Sequence, residues 1–161
     1  MSDVIVVGGG VIGLSTAWEL ASHGATVKVI DQSTIGREAS WAGAGMLPPG
    51  NLSGETSGEG RLRALSCELW PDWTQSLRDA TGVDNGYQNC GAIEVSFDRS
   101  LKPEADAWVA TGNRVEFLTD DRRRHFEPAI SSDIKDAYRL DDFCQVRNSR
   151  HLKALTAVCV D

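Results

Sequence analysis

The sequence predicts an α/β chain that opens on a strand, a helix and a second, parallel strand, and three observations predict it. Val4-Ile5-Val6-Val7 is a β-branched run of the kind a buried parallel strand needs. Gly8-Gly9-Gly10-Val11-Ile12-Gly13 follows at once with GxGxxG spacing. Ala25-Thr26-Val27-Lys28-Val29-Ile30 then alternates as a second strand and ends in Asp31. Together these are the parts of a Rossmann-type dinucleotide-binding unit.

Each part of that unit has a physical reason. Gly8 lets the chain turn sharply out of the strand, Gly10 removes the side chain that would block a pyrophosphate, and Gly13 lets the helix lie close on the sheet. Free backbone N–H groups and the positive end of the helix dipole then stabilise the anion without a lysine or arginine. The helix is predicted from about Val11 to Ser22, because Val11, Leu14, Ala17, Trp18, Leu20 and Ala21 mostly recur at helical spacing and Gly24 stops it. Asp31 lies 18 residues beyond Gly13, where a carboxylate binds the ribose hydroxyl pair and disfavours a 2′-phosphate. FAD and NAD both present an ADP moiety, so this unit alone leaves the two open.

The next stretch, Gly36-Arg37-Glu38-Ala39-Ser40-Trp41-Ala42-Gly43-Ala44-Gly45-Met46-Leu47-Pro48, resembles the second flavin-binding segment of the glycine oxidase and D-amino acid oxidase family of FAD enzymes. Its small residues suit a backbone that passes close beneath a flat ring system. Asn89-Cys90-Gly91-Ala92-Ile93-Glu94-Val95 is similar to the family's glycine-led strand into the substrate domain. Phe126-Glu127-Pro128 is similar to its recurring turn, and Gln145-Val146-Arg147 to its return crossing. The order of these landmarks matches glycine oxidase best.

Carried over by position, the resemblance implies FAD as cofactor, with Val11 and Ile12 at the pyrophosphate beside Gly8, Gly10 and Gly13, and with Asp31 and Gln32 at the adenosine ribose. Ala39 and Ser40 would lie near the phosphates, and Ala44, Gly45 and Met46 along the flavin ring. Asp31 stands where the family more usually has glutamate, and Arg147-Asn148 where it often has an acid or a proline. Because the family is more than twice as long as these 161 residues, the resemblance implies a C-terminally truncated chain. It would hold a Rossmann-type FAD-binding βαβ unit and part of a smaller α/β substrate domain. The intact parent would oxidise glycine or a small D-amino acid to the imino acid, with O2 reduced to H2O2. No residue here matches the family's substrate-binding arginine or pocket aromatics, so no catalytic residue is assigned, and the fragment itself is expected to be inactive. A non-catalytic dinucleotide-binding module and a flavin-dependent D-amino acid dehydrogenase remain as alternatives.

Further along, residues 48–60 shift to Gly, Ser and Glu without periodicity and read as an exposed loop. Leu62, Leu65, Leu69, Trp73 and Leu77 predict a mainly helical stretch from Arg61 to Ala80 whose stripe is core, with Pro71 kinking or dividing it. Strands are predicted at Ala92 to Phe97, Val115 to Leu118 and Ala137 to Leu140, and a helix at Pro103 to Thr111. Trp108, Tyr138 and Phe143 are expected to help bury this region. A last helix has Asn148 or Ser149 as N-cap and Leu152, Leu155, Val158 and Cys159 on one face. The expected division is residues 1–80 for the FAD-binding part, 81–140 for a partial substrate domain, and 141–161 as a return segment to the FAD-binding domain.

The net charge of −7 and the lack of a long basic stretch argue against nucleic acid or an anionic membrane as main partner. The expected partner is a small amine or amino acid. Arg122-Arg123-Arg124 follows a natural helix start at Thr119-Asp120-Asp121 and reads as a solvated face. Cys67, Cys90, Cys144 and Cys159 are widely spaced and read as reduced thiols, and His23, His125 and His151 read as surface residues at no metal-ligand spacing. No run approaches the ~20 apolar residues of a membrane span, and nothing before Val4 resembles a signal peptide. A cytoplasmic protein without a metal is therefore expected, and the sequence leaves its oligomeric state open.

Overall fold

The protein is described by a computed structural model covering residues 1–160. The chain divides into two compact units, each assembled from separated segments. Unit 1 comprises Met1–Gly45, Trp70–Tyr87 and the residues from Val146 onward, and unit 2 comprises Met46–Leu69 and Gln88–Gln145.

Unit 1 begins with β1 (Val4–Val7), α1 (Val11–Ser22) and β2 (Val27–Ile30). The strands pair in parallel with Val4 opposite Val27 and Val7 opposite Ile30. Val4, Val6, Val27 and Val29 are half-buried, and α1 lies on this side: a Cβ on Gly13 would sit 3.2 Å from Val6 Cγ1. Ile5 and Val7 are 59% and 83% exposed. The β-branched run predicts a strand buried on both faces, whereas α1 covers only one face of this pair.

The rest of unit 1 is α2 (Ala39–Ala42), the second half of α3 (Gly58–Thr81) and α6 (Asn148–Val158). Its core is Leu14, Leu77, Leu152, Ala154 and Leu155, against which Val11, Trp18, Ile35, Trp73, Val83 and Val158 pack. Leu14, Leu77 and Leu155 are the largest fully buried side chains, and truncating one such leucine to alanine costs roughly 2–5 kcal/mol. α3 runs unbroken through Pro71, and the division between the two units falls between Leu69 and Trp70, beside that proline. The helix start at Thr119 is as predicted. That of α6 is not: Arg147 is its N-cap, without a side-chain cap bond, and Asn148 is the first helical residue.

In unit 2 two three-stranded antiparallel sheets form. One orders β3 (Met46–Leu47), β8 (Cys144–Gln145) and β4 (Gln88–Asn89); the other orders β5 (Ala92–Ser96), β7 (Asp136–Leu140) and β6 (Val115–Phe117). α4 (Lys102–Ala110) and α5 (Asp120–Phe126) complete it. The core is Leu118, Ile134 and Ala137, joined by Ile93, Val95, Phe126 and Ile130. Trp108, Tyr138 and Phe143 are half-buried rather than central. Leu62, Leu65 and Leu69 are exposed, contrary to the core stripe expected of them. The helix turns a smaller residue inward here: Ala64 is buried, and a Cβ on Gly50 would lie 2.7 Å from its Cα.

Two charged positions also depart from the sequence reading. Arg123 is buried, donating from Nη1 to the Ile134 carbonyl at 3.3 Å and pairing with Asp120 at 3.0 Å, so the arginine run is not wholly a solvated face. His151 is 2% exposed, not a surface residue. Its ring lies 5.2 Å from that of Trp70 and 5.5 Å from that of Trp73, and the Asn85 Nδ2 group donates to its Nδ1 at 3.2 Å. Asn85 cannot present its oxygen to the ring instead, because Oδ1 already accepts the Tyr87 N–H at 3.0 Å. His151 is thereby held as the neutral tautomer protonated on Nε2, an atom buried without a hydrogen-bond partner.

Burial pushes the His151 imidazole down to about 4. The unfolded chain takes up this proton near pH 6.5, so between pH 6.5 and 4 the unfolded state binds more protons and folding loses stability as pH falls. The expected loss is at most about 3 kcal/mol. Urea midpoints measured between pH 7.5 and 4.5 should fall steeply in the wild type and follow a flatter course in His151→Gln.

Candidate functional site

The site is built around the junction of β1 and α1. Gly8 has φ +106°, a left-handed conformation that lets the chain reverse out of the strand. Gly13 closes the turn: a Cβ there would collide with the Gly8 carbonyl oxygen. Gly10 is the N-cap of α1 and offers no side-chain oxygen, and the first turn carries no acid. The leading N–H groups of a helix have no partner within it; the Val11 N–H is taken by Ser40 Oγ, and the dipole's positive end lies at this junction. Ile12 beside them is exposed.

Two side chains from further along reach this junction. Asp31, directly after β2, accepts the Gly9 N–H on Oδ2 at 2.6 Å and the Ser33 N–H on Oδ1 at 2.9 Å. The Gly9 bond first and the Ser33 bond next hold the Asp31 carboxyl below the usual carboxylate range. A carboxylate has about four acceptor positions, which leaves lone pairs for a diol. Ser40, in α2, accepts the Val11 N–H on Oγ at 3.0 Å. A Cβ on Gly10 would lie 2.9 Å from that same Oγ, so Gly10 and Ser40 border a gap that only a glycine leaves open.

Of the residues predicted for the site, Gly8, Gly10, Val11, Ile12 and Gly13 thus share one turn, with Asp31 and Ser40 bonded to it. Gln32 and Ala39 are exposed beside Asp31 and Ser40 in sequence. Ala44 is exposed and Gly45, at φ +74°, is half-buried. Met46, 68% exposed, belongs to β3 in unit 2. Three residues that the sequence reading did not assign belong to the same neighbourhood of unit 1. Ile35 lies where a Cβ on Gly9 would meet its Cγ1 at 2.9 Å, Val146 donates its N–H to the Gly45 carbonyl at 2.9 Å, and Asn148 reaches Ser40. Val146 had a signal as part of the return crossing Gln145-Val146-Arg147, and Asn148 as half of the Arg147-Asn148 departure from the family pattern; Ile35 had none.

Among the described residues no group of three or more His, Cys, Asp and Glu is placed to hold a metal ion, and no helix is long and apolar enough to cross a membrane. The four cysteines are free thiols.

The two glycines at the helix start separate folding from binding. Gly13→Ala forces backbone against backbone and should lower the melting temperature sharply. Gly10→Ala meets only a hydroxyl, and should keep the wild-type melting temperature within a few degrees while weakening ADP binding about tenfold or more, as read by calorimetric titration.

Residues 3–161 match the family model described as DAO, FAD dependent oxidoreductase. The chain is 35% identical over 156 residues to a glycine oxidase of Pseudomonas putida, a match covering 96% of this chain and 42% of that protein. Among solved structures it resembles glycine oxidase from Bacillus cereus, with TM-score 0.87, 31% identity, and 99% of this chain against 44% of that one. Glycine oxidase from Geobacillus kaustophilus gives TM-score 0.87 and 29% identity, with 98% and 44% covered. The chain therefore spans less than half the length of these relatives. A family match over nearly all of its residues, on a fold whose first turn has the donors and acceptor that an ADP moiety requires, means that the chain belongs to the DAO family of FAD-dependent oxidoreductases.

Proposed function

We propose that this chain holds FAD for a protein that oxidises glycine or a small D-amino acid to the imino acid, with O2 reduced to H2O2. The observation that carries the reading is the N-terminus of α1, whose N-cap Gly10 has no side chain, with Ser40 and Asp31 both bonded into the same turn. Ile12 offers its N–H to the pyrophosphate across the Gly8, Gly10 and Gly13 turn, and Val11, whose own N–H is bonded to Ser40 Oγ, borders it. Asp31, with Gln32, takes the adenosine ribose, and Ala39 and Ser40 flank the phosphates. Ala44, Gly45 and Met46 border the flavin. FAD, when bound, supplies the acceptor for the electron pair of the amine. The chain's own part is to bind, to orient and to keep bulk away from the ring.

The names of the relatives, glycine oxidases, support the substrate class. In this reading unit 1 is the cofactor-holding part and unit 2, which contains residues 88–140 of the expected 81–140, the substrate-side part. Four free thiols suit a reducing compartment such as the cytoplasm. The relatives are more than twice as long, and in this reading the 161 residues alone bind FAD without oxidising the amine.

Reconstituted with FAD and freed of excess, the chain should stay yellow, with absorbance near ~450 nm, and give no H2O2 with glycine. A protein of the relatives' full length that contains this chain should bleach anaerobically with glycine, sarcosine or D-alanine and recover its colour in air. Tight NAD binding without flavin would instead favour a non-catalytic dinucleotide module, and bleaching without recovery in air a dehydrogenase.

A further inference from the structure

Asn148 is the first residue of α6, yet its side chain does not cap that helix. Its Nδ2 group donates to the Ser40 carbonyl at 3.1 Å, across 108 positions of sequence. Ser40 in turn accepts the Val11 N–H at 3.0 Å, so one residue is gripped from both ends, by α6 through its carbonyl and by α1 through its hydroxyl.

The glycines that follow are shaped around the same amide. A Cβ on Gly43 would collide with Asn148 Nδ2, and a Cβ on Gly45 would lie 3.1 Å from Asn148 Oδ1 besides colliding with the Val146 carbonyl. The Gly45 carbonyl accepts the Val146 N–H at 2.9 Å. Residues 40–45 therefore wrap the Asn148 side chain. Gly43 and Gly45 are required by that wrapping, whatever ring lies beyond them.

We propose that Asn148 is the positioning residue of the cofactor loop, its side-chain amide holding residues 40–45 against the start of α1 before any cofactor arrives. The inference rests on the reading that unit 1 holds FAD. Only a donor serves at this place, because the acceptor is a carbonyl oxygen. An aspartate of the same shape turns the attraction into repulsion.

The test compares wild type, Asn148→Asp and Asn148→Ala in two measurements. In the ligand-free chain, amide exchange at residues 41–45 should accelerate about tenfold or more in both variants, with exchange in β1 and β2 unchanged. In binding, the dissociation constant for FAD should rise about tenfold and that for ADP by less than about threefold, since ADP does not extend along residues 44 and 45. Wild-type exchange and a wild-type ratio of FAD to ADP affinity in Asn148→Asp would overturn the proposal. So would faster exchange throughout unit 1 with FAD and ADP weakened alike, which marks general destabilisation. A wild-type chain that takes up no FAD would defeat the cofactor reading on its own, and loop exchange would then decide the tie.

Discussion

The close approach of Gly13 to the Gly8 carbonyl is the constraint on which unit 1 depends. It fixes where α1 begins, and with it the direction of the leading N–H groups and the dipole. It also sets how near α1 lies to Val6, and so which face of the β1 and β2 pair is covered. Leu14, one residue further on, is carried into the core with Leu77, Leu152 and Leu155. One backbone contact thus sets both the direction of the helix start and the packing behind it. The residue type that the fold requires at Gly13 and the one that the ligand requires at Gly10 coincide for different reasons.

Legibility in the sequence followed the range of the interactions. β1, α1 and β2 were readable almost to the residue because turn, helix period and strand alternation are local. The Thr119 cap of α5 was readable for the same reason, its side chain accepting the Arg122 N–H three residues on. The exposure of Leu62, Leu65 and Leu69 was not, because helical periodicity marks a stripe without saying which side a distant loop approaches, and Gly50 approaches at Ala64. Nor was the burial of His151, which depends on Trp70, Trp73 and Asn85, all more than sixty residues away in sequence. In the candidate site, Asp31 was legible from its offset in the strand unit and Ser40 only through resemblance. Asn148 was visible as a departure without a reason.

Electrostatics in unit 1 point in one direction. The start of α1 is positive, its N-cap is a glycine, and the carboxyl of Asp31, bonded to the Gly9 N–H beside it, is held below the usual carboxylate range by the Gly9 and Ser33 N–H groups. A ligand that suits both must present an anion to the helix and hydroxyl donors to the carboxylate, as an ADP moiety does. On the proposed reading, the turn selects for a nucleotide and is indifferent to what is attached beyond the pyrophosphate. Discrimination between a flavin and a nicotinamide has to come from residues after Ser40, in the segment where the family resemblance is carried.

That segment is held by polar contacts to the part of the chain that returns at Val146. Val146 bonds Gly45, Arg147 donates its N–H to the Asn85 carbonyl at 2.9 Å, Asn148 bonds Ser40, and His151 receives Asn85. Four of the first six residues of the returning segment thus fix two loops, around 40–45 and around 85–87, that hydrophobic packing alone would leave in several conformations. Apolar contacts are tolerant of small shifts, whereas a hydrogen bond requires a narrow range of distance and angle. The leucines of α6 supply cohesion to unit 1, and the polar residues at the start of the same helix supply register to the loops that border the nucleotide turn.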